Sequence, residues 1–271
     1  MKTVALHYSF EFLAGMRNRT LLLMNYLMPL GFYALVGTMM AQINPFFGDQ
    51  MIPAMVAFAI LSGTIMGLPT PLIESREGGI LRSFRVHGFS AAPLLAMPAI
   101  TTAVHTGLVA AVITLTAPML FDAPAPSDPW TFVLITALLA FALSGLGSLI
   151  GVVSAGSKVA ILWQQLIYLP SMILGGLMIP VEILPDAFAR VAHLLPATYG
   201  MQAFLGGAFG MESLYSPAAA AGVLFAGGIA AFGLALYLFS WDDKNGGRRG
   251  HPALAALALL PYAIGAIFLV S

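Results

Sequence analysis

The chain has 271 residues, of which 59% are hydrophobic and only 8% are charged, and its mean hydropathy is +0.92. Soluble domains carry about 25% charged residues, so this composition excludes an ordinary water-soluble protein. The formal net charge is zero, and the lack of cysteine excludes disulfides, thiolate nucleophiles and cysteine-bound metals.

Seven apolar stretches are each long enough to cross a bilayer, which takes a helix of about 20 residues. Continuous apolar runs indicate helices, because a segment in lipid must satisfy its backbone hydrogen bonds internally. The predicted fold is therefore an all-α, polytopic membrane protein. The predicted spans are residues 20–42, 52–73, 93–120, 131–154, 160–181, 217–240 and 252–270.

Basic residues lie in every second loop. All 11 Lys and Arg except Arg190 fall before the first span or after the second, fourth and sixth spans. Cytoplasmic loops collect Lys and Arg, so the N-terminus is expected in the cytoplasm. The opposite loops contain the acidic residues Asp49, Asp122, Asp128, Glu182, Asp186 and Glu212.

The first twenty residues combine a basic character with an apolar repeat. Val4, Tyr8, Phe12 and Met16 recur every four positions. This spacing predicts a helix that lies at the cytoplasmic interface before the first span, the alternative being a frayed basic tail. A cleavable signal peptide is not expected, because the apolar span is too long and no A-x-A site closes it.

The loop at residues 74–90 is predicted to contain a short amphipathic helix. The second span is expected to end at Pro69 and Pro71, and Gly78 with Gly79 to form a flexible break. Residues 80–86 then follow with Arg82 and Arg85 on the wet side. Gly88 is expected to end this helix and Ser90 to cap the next. Such a helix suits docking of a cytoplasmic partner, and the alternative is an ordinary positively charged loop.

The segment at residues 180–200, on the opposite side, is too short to cross and too apolar to lie in free water. Pro180 and Pro185 are expected to break the fifth span, and Pro196 to stop a short helix. Its apolar face is predicted to consist of Phe188, Val191, Ala192 and Leu195. We predict a re-entrant or interfacial hairpin, which must be sheltered by protein or line a cavity.

Few polar residues lie within the spans. Asn25, Gln164 and Gln165 are candidates for contact with a transported molecule, although helix packing is the alternative for the two glutamines. Small residues let helices approach closely in membranes. The face formed by Gly145, Gly147 and Gly151, and the pair at residues 175–176, are therefore expected to support close packing and assembly.

The last apolar stretch follows a polar turn at residues 242–251. Residues 252–271 contain no charged side chain, whereas a surface helix should carry a charged face. We therefore predict a seventh span in the region 243–271, kinked by Pro261, with the C-terminus outside.

Three segments, in this order, resemble the type-two ABC transporter permeases. The first is the acidic, glycine-containing turn at residues 77–82, followed by 88–90, with Ile80 where this family usually has Thr. The second runs from residue 176 through Pro180 and Pro185 to Gly200. The third is the aromatic and acidic exit at 238–242. The resemblance covers residues 1–242, which would form the six-span transmembrane domain of an exporter.

The resemblance implies a membrane subunit in a prokaryotic plasma membrane, paired with a second permease and two copies of an ABC ATPase subunit. ATP and Mg would be bound by the ATPase, since this chain has no Gly-x-x-x-x-Gly-Lys-[Ser/Thr] motif. No catalytic residue, metal site, cofactor or nucleic-acid partner is expected in this chain. The cargo would be drug-like, lipid-linked or polysaccharide, along the first, second and fifth spans. The residues implied for coupling are Glu74, Glu77, Ile80, Leu81, Arg82, Phe84 and Arg85, and those of the re-entrant segment are Pro180, Pro185, Pro196, Tyr199 and Gly200.

Two other classes compete with this interpretation. An ion-coupled secondary transporter usually needs charged residues within its spans, and almost none occur here. An intramembrane serine protease needs a Gly-x-Ser-Gly motif followed by a histidine on a later span. Here Ala142 stands in the first glycine position before Ser144, and His105 precedes that serine.

Overall fold

The computed structural model describes residues 19–43, 47–242 and 250–269, and over this part of the chain it contains helices and no strand. The predicted interfacial helix at the N-terminus lies outside the described residues. Within them, five helices are long and apolar enough to cross a membrane: Phe47–Glu77, Ala91–Phe121, Pro129–Val153, Pro217–Leu238 and Pro252–Leu269. The prediction of an all-α, polytopic membrane protein is confirmed.

The first and fifth predicted spans are helices that do not meet both requirements: the apolar part of the first is shorter, and the fifth is long enough but less apolar. The first consists of α1 (Arg19–Leu22), a π-helical turn (Leu23–Leu27) and α2 (Met28–Ile43), of which Leu23–Met39 is the apolar part. The fifth is α8 (Ser157–Leu174).

Helix α8 ends earlier than predicted. Gly175 still donates its N–H to the Ser171 carbonyl, but Gly176 has a φ of +86°, in the left-handed region that favours glycine. The helix is therefore closed by a glycine C-terminus. The prediction that Pro180 and Pro185 break this span was wrong, because the chain has left the helix before it reaches them.

The second span, called the central helix below, lies at the centre of the molecule. It consists of α3 (Phe47–Leu61), a π-helical turn (Ser62–Met66) and α4 (Pro69–Glu77), and 94% of its apolar stretch is buried. The prediction that it ends at Pro69 and Pro71 was wrong. Pro69 stands in the first turn of α4, where a missing backbone N–H costs no hydrogen bond, so the helical segment continues to Glu77.

Helix α5 (Ile80–Val86) leads into the third and fourth spans, α6 (Ala91–Phe121) and α7 (Pro129–Val153). Asp128 caps α7 by accepting hydrogen bonds from Thr131 Oγ1 at 2.6 Å and from the backbone N–H groups of Trp130 and Thr131. These hydrogen bonds, chiefly that from the Thr131 hydroxyl, lower the pKa of Asp128. The cap and Pro129 in the first turn explain why α7 begins where it does.

The glycine face of α7 packs inside the chain. A Cβ added at Gly147 would lie 2.5 Å from the backbone oxygen of Thr64, and one at Gly151 would lie 3.2 Å from that of Pro69. Gly145 approaches the sixth span, α11 (Pro217–Leu238), in the same way. Close packing is confirmed, but the expectation that this face supports assembly of two permeases was wrong, because the central helix and α11 already occupy it.

The segment at residues 180–208, called the outer segment after the side on which it is predicted to lie, contains three short helical pieces before α11. A 3-10 turn (Val181–Ile183) precedes α9 (Asp186–Ala192), and α10 (Pro196–Ala203) continues into a π-helical turn (Phe204–Ala208). The prolines Pro180, Pro185 and Pro196 each stand at the start of one of these pieces. Pro196 therefore begins α10 and does not stop α9, which has already ended at Ala192.

The C-terminal stretch changes helix type near its proline. It begins as a 3-10 helix (Pro252–Leu259) and continues as α12 (Leu260–Leu269). Pro261 explains the change, because it lacks an N–H and its ring crowds the carbonyl four residues earlier. Tyr262 is fully buried, and a Cβ added at Gly227 of α11 would lie 2.1 Å from its hydroxyl. The last helix is thus packed closely against α11.

Candidate functional site

A tight reversal places α5 at the end of the central helix. Gly78 donates its N–H to the Glu74 carbonyl at 2.8 Å, and Gly79 donates to the Arg76 carbonyl at 3.1 Å. Gly79 has a φ of +73° and precedes the first turn of α5. The expected break at Gly78 and Gly79 is therefore a defined turn that requires a left-handed residue.

The far end of α5 is closed by a Schellman motif. The N–H of Phe89 donates to the Phe84 carbonyl at 3.0 Å, and that of Gly88 donates to the Arg85 carbonyl at 3.0 Å. Gly88 has a φ of +79°, and the rings of Phe84 and Phe89 meet edge to face at 5.2 Å. The predicted end at Gly88 is confirmed. Ser90 stands at the N-cap of α6 as expected, but its side chain makes no capping hydrogen bond.

The two faces of α5 differ in exposure. Leu81 is 3% exposed and belongs to the hydrophobic core, and Phe84 packs partly against that core. Ile80 is 51% exposed and Val86 is 85% exposed. Leu81, which was predicted to be a coupling residue, is buried where it anchors α5 to the core. The exposed surface consists of Ile80, Arg82, Ser83, Arg85 and Val86, and Glu74 and Glu77 are exposed on the preceding turns.

Arg76 joins this region to α7, which the sequence did not reveal. It is 3% exposed, and its guanidinium donates hydrogen bonds to the carbonyls of Gly151 (3.2 Å), Val152 (3.0 Å) and Ser154. The last carbonyls of a helix have no intrahelical partner and carry partial negative charge, so a buried arginine there is stabilising. In the sequence, Arg76 looks like any basic residue of a cytoplasmic loop, because the end of α7 lies about 75 residues away.

A surface ion pair joins α5 to the end of α11. Arg82 Nε lies 3.5 Å from Asp242 Oδ2, with the Arg82 side chain 58% exposed. An exposed pair contributes little stability, at most about 1 kcal/mol. The position of this ion pair matters more than its energy, because it joins residues 77–82 to residues 238–242, two of the three segments on which the resemblance rests.

The outer segment is sheltered on one side only. All of α10 is buried, and the Tyr199 hydroxyl lies 2.9 Å from the His193 carbonyl and 3.0 Å from the Tyr262 carbonyl. A Cβ added at Gly200 would lie 2.8 Å from the Leu139 side chain. Tyr199 and Gly200 thus fasten the outer segment to α12 and α7.

Helix α9 is the exposed part of the outer segment. Ala192 and Leu195 are buried, but Phe188 and Val191 are exposed. The four residues were predicted to form one apolar face of a short helix, but Leu195 lies beyond the end of α9 at Ala192, and only the end of α9 next to α10 meets the bundle. The exposed apolar side chains would suit lipid or a partner surface.

His193 should make the outer segment sensitive to acid. Its Nδ1 is hydrogen-bonded to the Tyr215 hydroxyl, and burial lowers the pKa of His193 below its ordinary value of about 6.5. Below that pH the unfolded chain binds the proton more readily than the folded chain, so stability should fall as the pH falls. Thermal unfolding of the purified protein, followed from about pH 8 to about pH 5, should show this loss.

The variant for this test is His193→Gln, and it should weaken the dependence of the unfolding temperature on pH. An identical pH dependence in the unmodified protein and in His193→Gln would contradict the assignment.

The three polar residues proposed for cargo contact do not come together. Gln164 is buried, and its Nε2 donates to the Met66 carbonyl at 3.3 Å, which fits the alternative of helix packing. Gln165 is partly exposed on α8. Asn25 is buried and lines a separate cavity between the first span and α6.

The comparisons with known proteins agree with this architecture. The family model described as ABC-2 type transporter matches residues 6–209. Nodulation protein J of Sinorhizobium fredii (strain NBRC 101917 / NGR234) is 33% identical over 91 residues, which cover 32% of this chain. The match spans about a third of that relative's length, 35%. No solved structure matches the chain.

The matched region contains α5, the buried Arg76 and the outer segment through α10, and it covers well over half of the chain. The chain belongs to the ABC-2 type transporter family.

Proposed function

We propose that this chain is the membrane permease subunit of an ATP-driven exporter, and that α5 is the surface on which the ATPase acts. Family membership implies partnership with an ABC ATPase subunit. The observation that carries the proposal is the construction of α5: it is closed at both ends by glycines in left-handed conformations, anchored by Leu81, and exposed on the face that carries Ile80 and Val86.

Three connections would carry a displacement of α5 into the spans. The turn at Gly79 joins it to the central helix, Arg76 joins that helix to the end of α7, and Arg82 reaches Asp242 after α11. Packed side chains and hydrogen-bond networks are the physical means by which such coupling travels. Glu74, Glu77 and Arg85 are exposed around the same surface and would contribute polar contacts to the ATPase.

The proposed cargo is apolar, amphipathic or polymeric, such as a drug-like, lipid-linked or polysaccharide molecule. The central helix is buried within the chain, so the first and fifth spans are better placed than the second to line a path between two permeases. Both expose large apolar side chains, among them Leu35 on α2 and Leu162 and Leu166 on α8. Gln165 is the polar residue best placed to meet cargo there.

The proposed setting is the plasma membrane of a prokaryote. The distribution of Lys and Arg supports an N-terminus in the cytoplasm, on the same side as α5. Pro252–Leu269 is long and apolar enough to cross, which would place the C-terminus outside and the segment at residues 180–200 as a re-entrant element on the outer side.

Because the proposal assigns ATP hydrolysis to a separate subunit, it predicts which protein will show ATPase activity. The purified permease, reconstituted alone in lipid, should show no ATP turnover above the lipid blank, because the sequence has no phosphate-binding motif. Turnover and cargo export should appear when the cognate ABC ATPase is added. The control is the ATPase with its phosphate-binding lysine replaced, which should restore neither. Robust turnover by the verified permease alone would overturn the proposal.

The proposed assembly contains two permeases and two ATPase subunits. Native mass spectrometry of the complex extracted in mild detergent should give this stoichiometry, with a second copy of this chain or a related permease. The α7 glycine face is buried, so the contact is expected to use the exposed faces of α2 and α8. An active complex with one permease would contradict this arrangement.

A further inference from the structure

A cavity of about 130 Å³ lies between the first span, the central helix, α5 and α6. Its apolar lining includes Leu81 and Phe84, the two residues that anchor α5, so it opens at the end of the bundle that carries this helix. Its polar lining consists of Asn25, Ser75, Thr101, Thr102, His105 and Ser148. None of the coupling connections described above uses these polar groups.

Two π-helical turns meet beside this cavity. Asn25 lies in the turn Leu23–Leu27, and the turn Ser62–Met66 packs against it, with Ser62 Oγ donating to the Met24 carbonyl at 2.8 Å. A Cβ added at Gly63 would lie 2.5 Å from Asn25 Oδ1, so glycine is needed to leave room for this amide. Turns of this type are rare and occur frequently at functional sites.

Polar side chains in the cavity wall are buried without satisfied hydrogen bonds. Asn25 is 2% exposed and Thr101 is 6% exposed. Among the described residues, neither Asn25 Oδ1 nor Thr101 Oγ1 has a hydrogen-bond partner. A buried polar group left in this state destabilises the protein, and a bound molecule that hydrogen-bonds to it would remove that cost.

The cavity wall also determines the charge of what it can hold. Among the described residues, the side chains that line it include no Asp, Glu, Lys or Arg, so an ion would be desolvated there without a countercharge from them. Tyr26 Oη lies 2.5 Å from His105 Nδ1, which holds the imidazole ring in place at the wall. The remaining lining is aliphatic and aromatic, including Leu94, Leu95 and Pro98.

We propose that this cavity binds a small uncharged molecule that presents a hydroxyl or amide group to Asn25 and Thr101 and an apolar body to the surrounding leucines. An apolar cavity of roughly 150 Å³ can hold benzene. This cavity of about 130 Å³ would therefore enclose slightly less than one ring, and the rest of a ring with one polar substituent would lie in its opening. The site lies within one chain and does not depend on the exporter function proposed above.

The lack of native cysteine provides a direct test. A Thr101→Cys variant of the full chain, purified in detergent, is alkylated with N-ethylmaleimide in the presence of benzamide, benzoate or benzylammonium. These probes have similar sizes and differ in charge. At a benzamide concentration about ten times its Kd, alkylation should slow by about tenfold, because the thiol is free only in the unoccupied fraction. Benzoate and benzylammonium should give no protection.

Two further variants make the test specific. Asn25→Leu in the Thr101→Cys background keeps the side-chain size but removes the amide, and should abolish protection by benzamide. Val86→Cys, on the exposed face of α5, should react at the same rate with or without benzamide. Ser148→Cys, which lines the same cavity, replaces Thr101→Cys if the latter does not purify as a monodisperse protein.

Three results would overturn the proposal. The cavity is closed to small molecules if Thr101→Cys and Ser148→Cys fail to react while Val86→Cys reacts. It does not select by charge if the three probes protect equally. It does not use the amide if protection persists in Asn25→Leu.

Discussion

Replacing Ile80 or Val86 by aspartate is expected to weaken binding of the ATPase by at least about tenfold and to reduce export correspondingly, with the permease still folded. Both side chains are apolar and exposed on α5, as a docking surface requires. Truncating a central contact in an interface costs about 2 kcal/mol or more, and a buried unpaired carboxylate adds to that loss. The measurements are the affinity of purified permease for its ATPase and export by proteoliposomes containing both.

Two controls separate loss of docking from loss of folding. Ile183→Asp places the same charge at an apolar residue that is 71% exposed in the outer segment, and should leave ATPase binding unchanged. Leu81→Asp should instead destabilise the permease itself, because Leu81 is buried in the core. Unchanged ATPase binding and unchanged export in both Ile80→Asp and Val86→Asp would leave α5 as an ordinary cytoplasmic loop.

Replacing Arg76 by alanine is expected to destabilise the permease by about 3 kcal/mol, the largest stability effect that the structure predicts for a single charged residue. The change removes the charged donor from three carbonyls at the end of α7 and leaves them buried. Hydrogen bonds to charged groups contribute about 1.5–3 kcal/mol, and an unsatisfied buried acceptor carries its own cost. Equilibrium unfolding in sodium dodecyl sulfate measures the difference.

Arg85→Ala is the matched control, because it removes an exposed arginine from the same loop and should change stability by no more than about 0.5 kcal/mol. Arg76→Lys should fall between the two, since lysine keeps the charge but lacks the planar fork that reaches several carbonyls at once. Equal stability of Arg76→Ala and Arg85→Ala would show that the contact with α7 is not needed.

The helices around the loop at residues 74–90 could be predicted because their signals are local. The third predicted span, residues 93–120, corresponds to α6 at Ala91–Phe121, and the helix predicted at residues 80–86 is α5. The end of α5 at Gly88 follows from a left-handed backbone conformation that glycine adopts more readily than other residues. The length of an apolar run and a glycine in a turn are signals carried by neighbouring residues, so a single sequence is enough to recognise them.

The errors arose where one helix depends on another. Proline was expected to end the second span at Pro69, but a π-helical turn brings Pro69 into the first turn of a new helix. The glycine face of α7 was expected to serve assembly, and Gly147 instead approaches Thr64 within the same chain. A pattern of small residues predicts close packing, but it does not identify the helix that packs there.

The sequence by itself determined that the protein spans a membrane, how its apolar helices are distributed, which loops carry the basic residues, and which family it resembles. Each of these depends on composition, on the length of apolar runs, or on the order of short motifs. Only the tertiary structure decided that Leu81 faces inward while Val86 faces outward, that Arg76 caps α7, and that Asn25 lines a cavity beside two π-helical turns. These properties depend on contacts between residues about 40 to 80 positions apart, and the apolar pattern of a membrane helix does not distinguish lipid from protein neighbours.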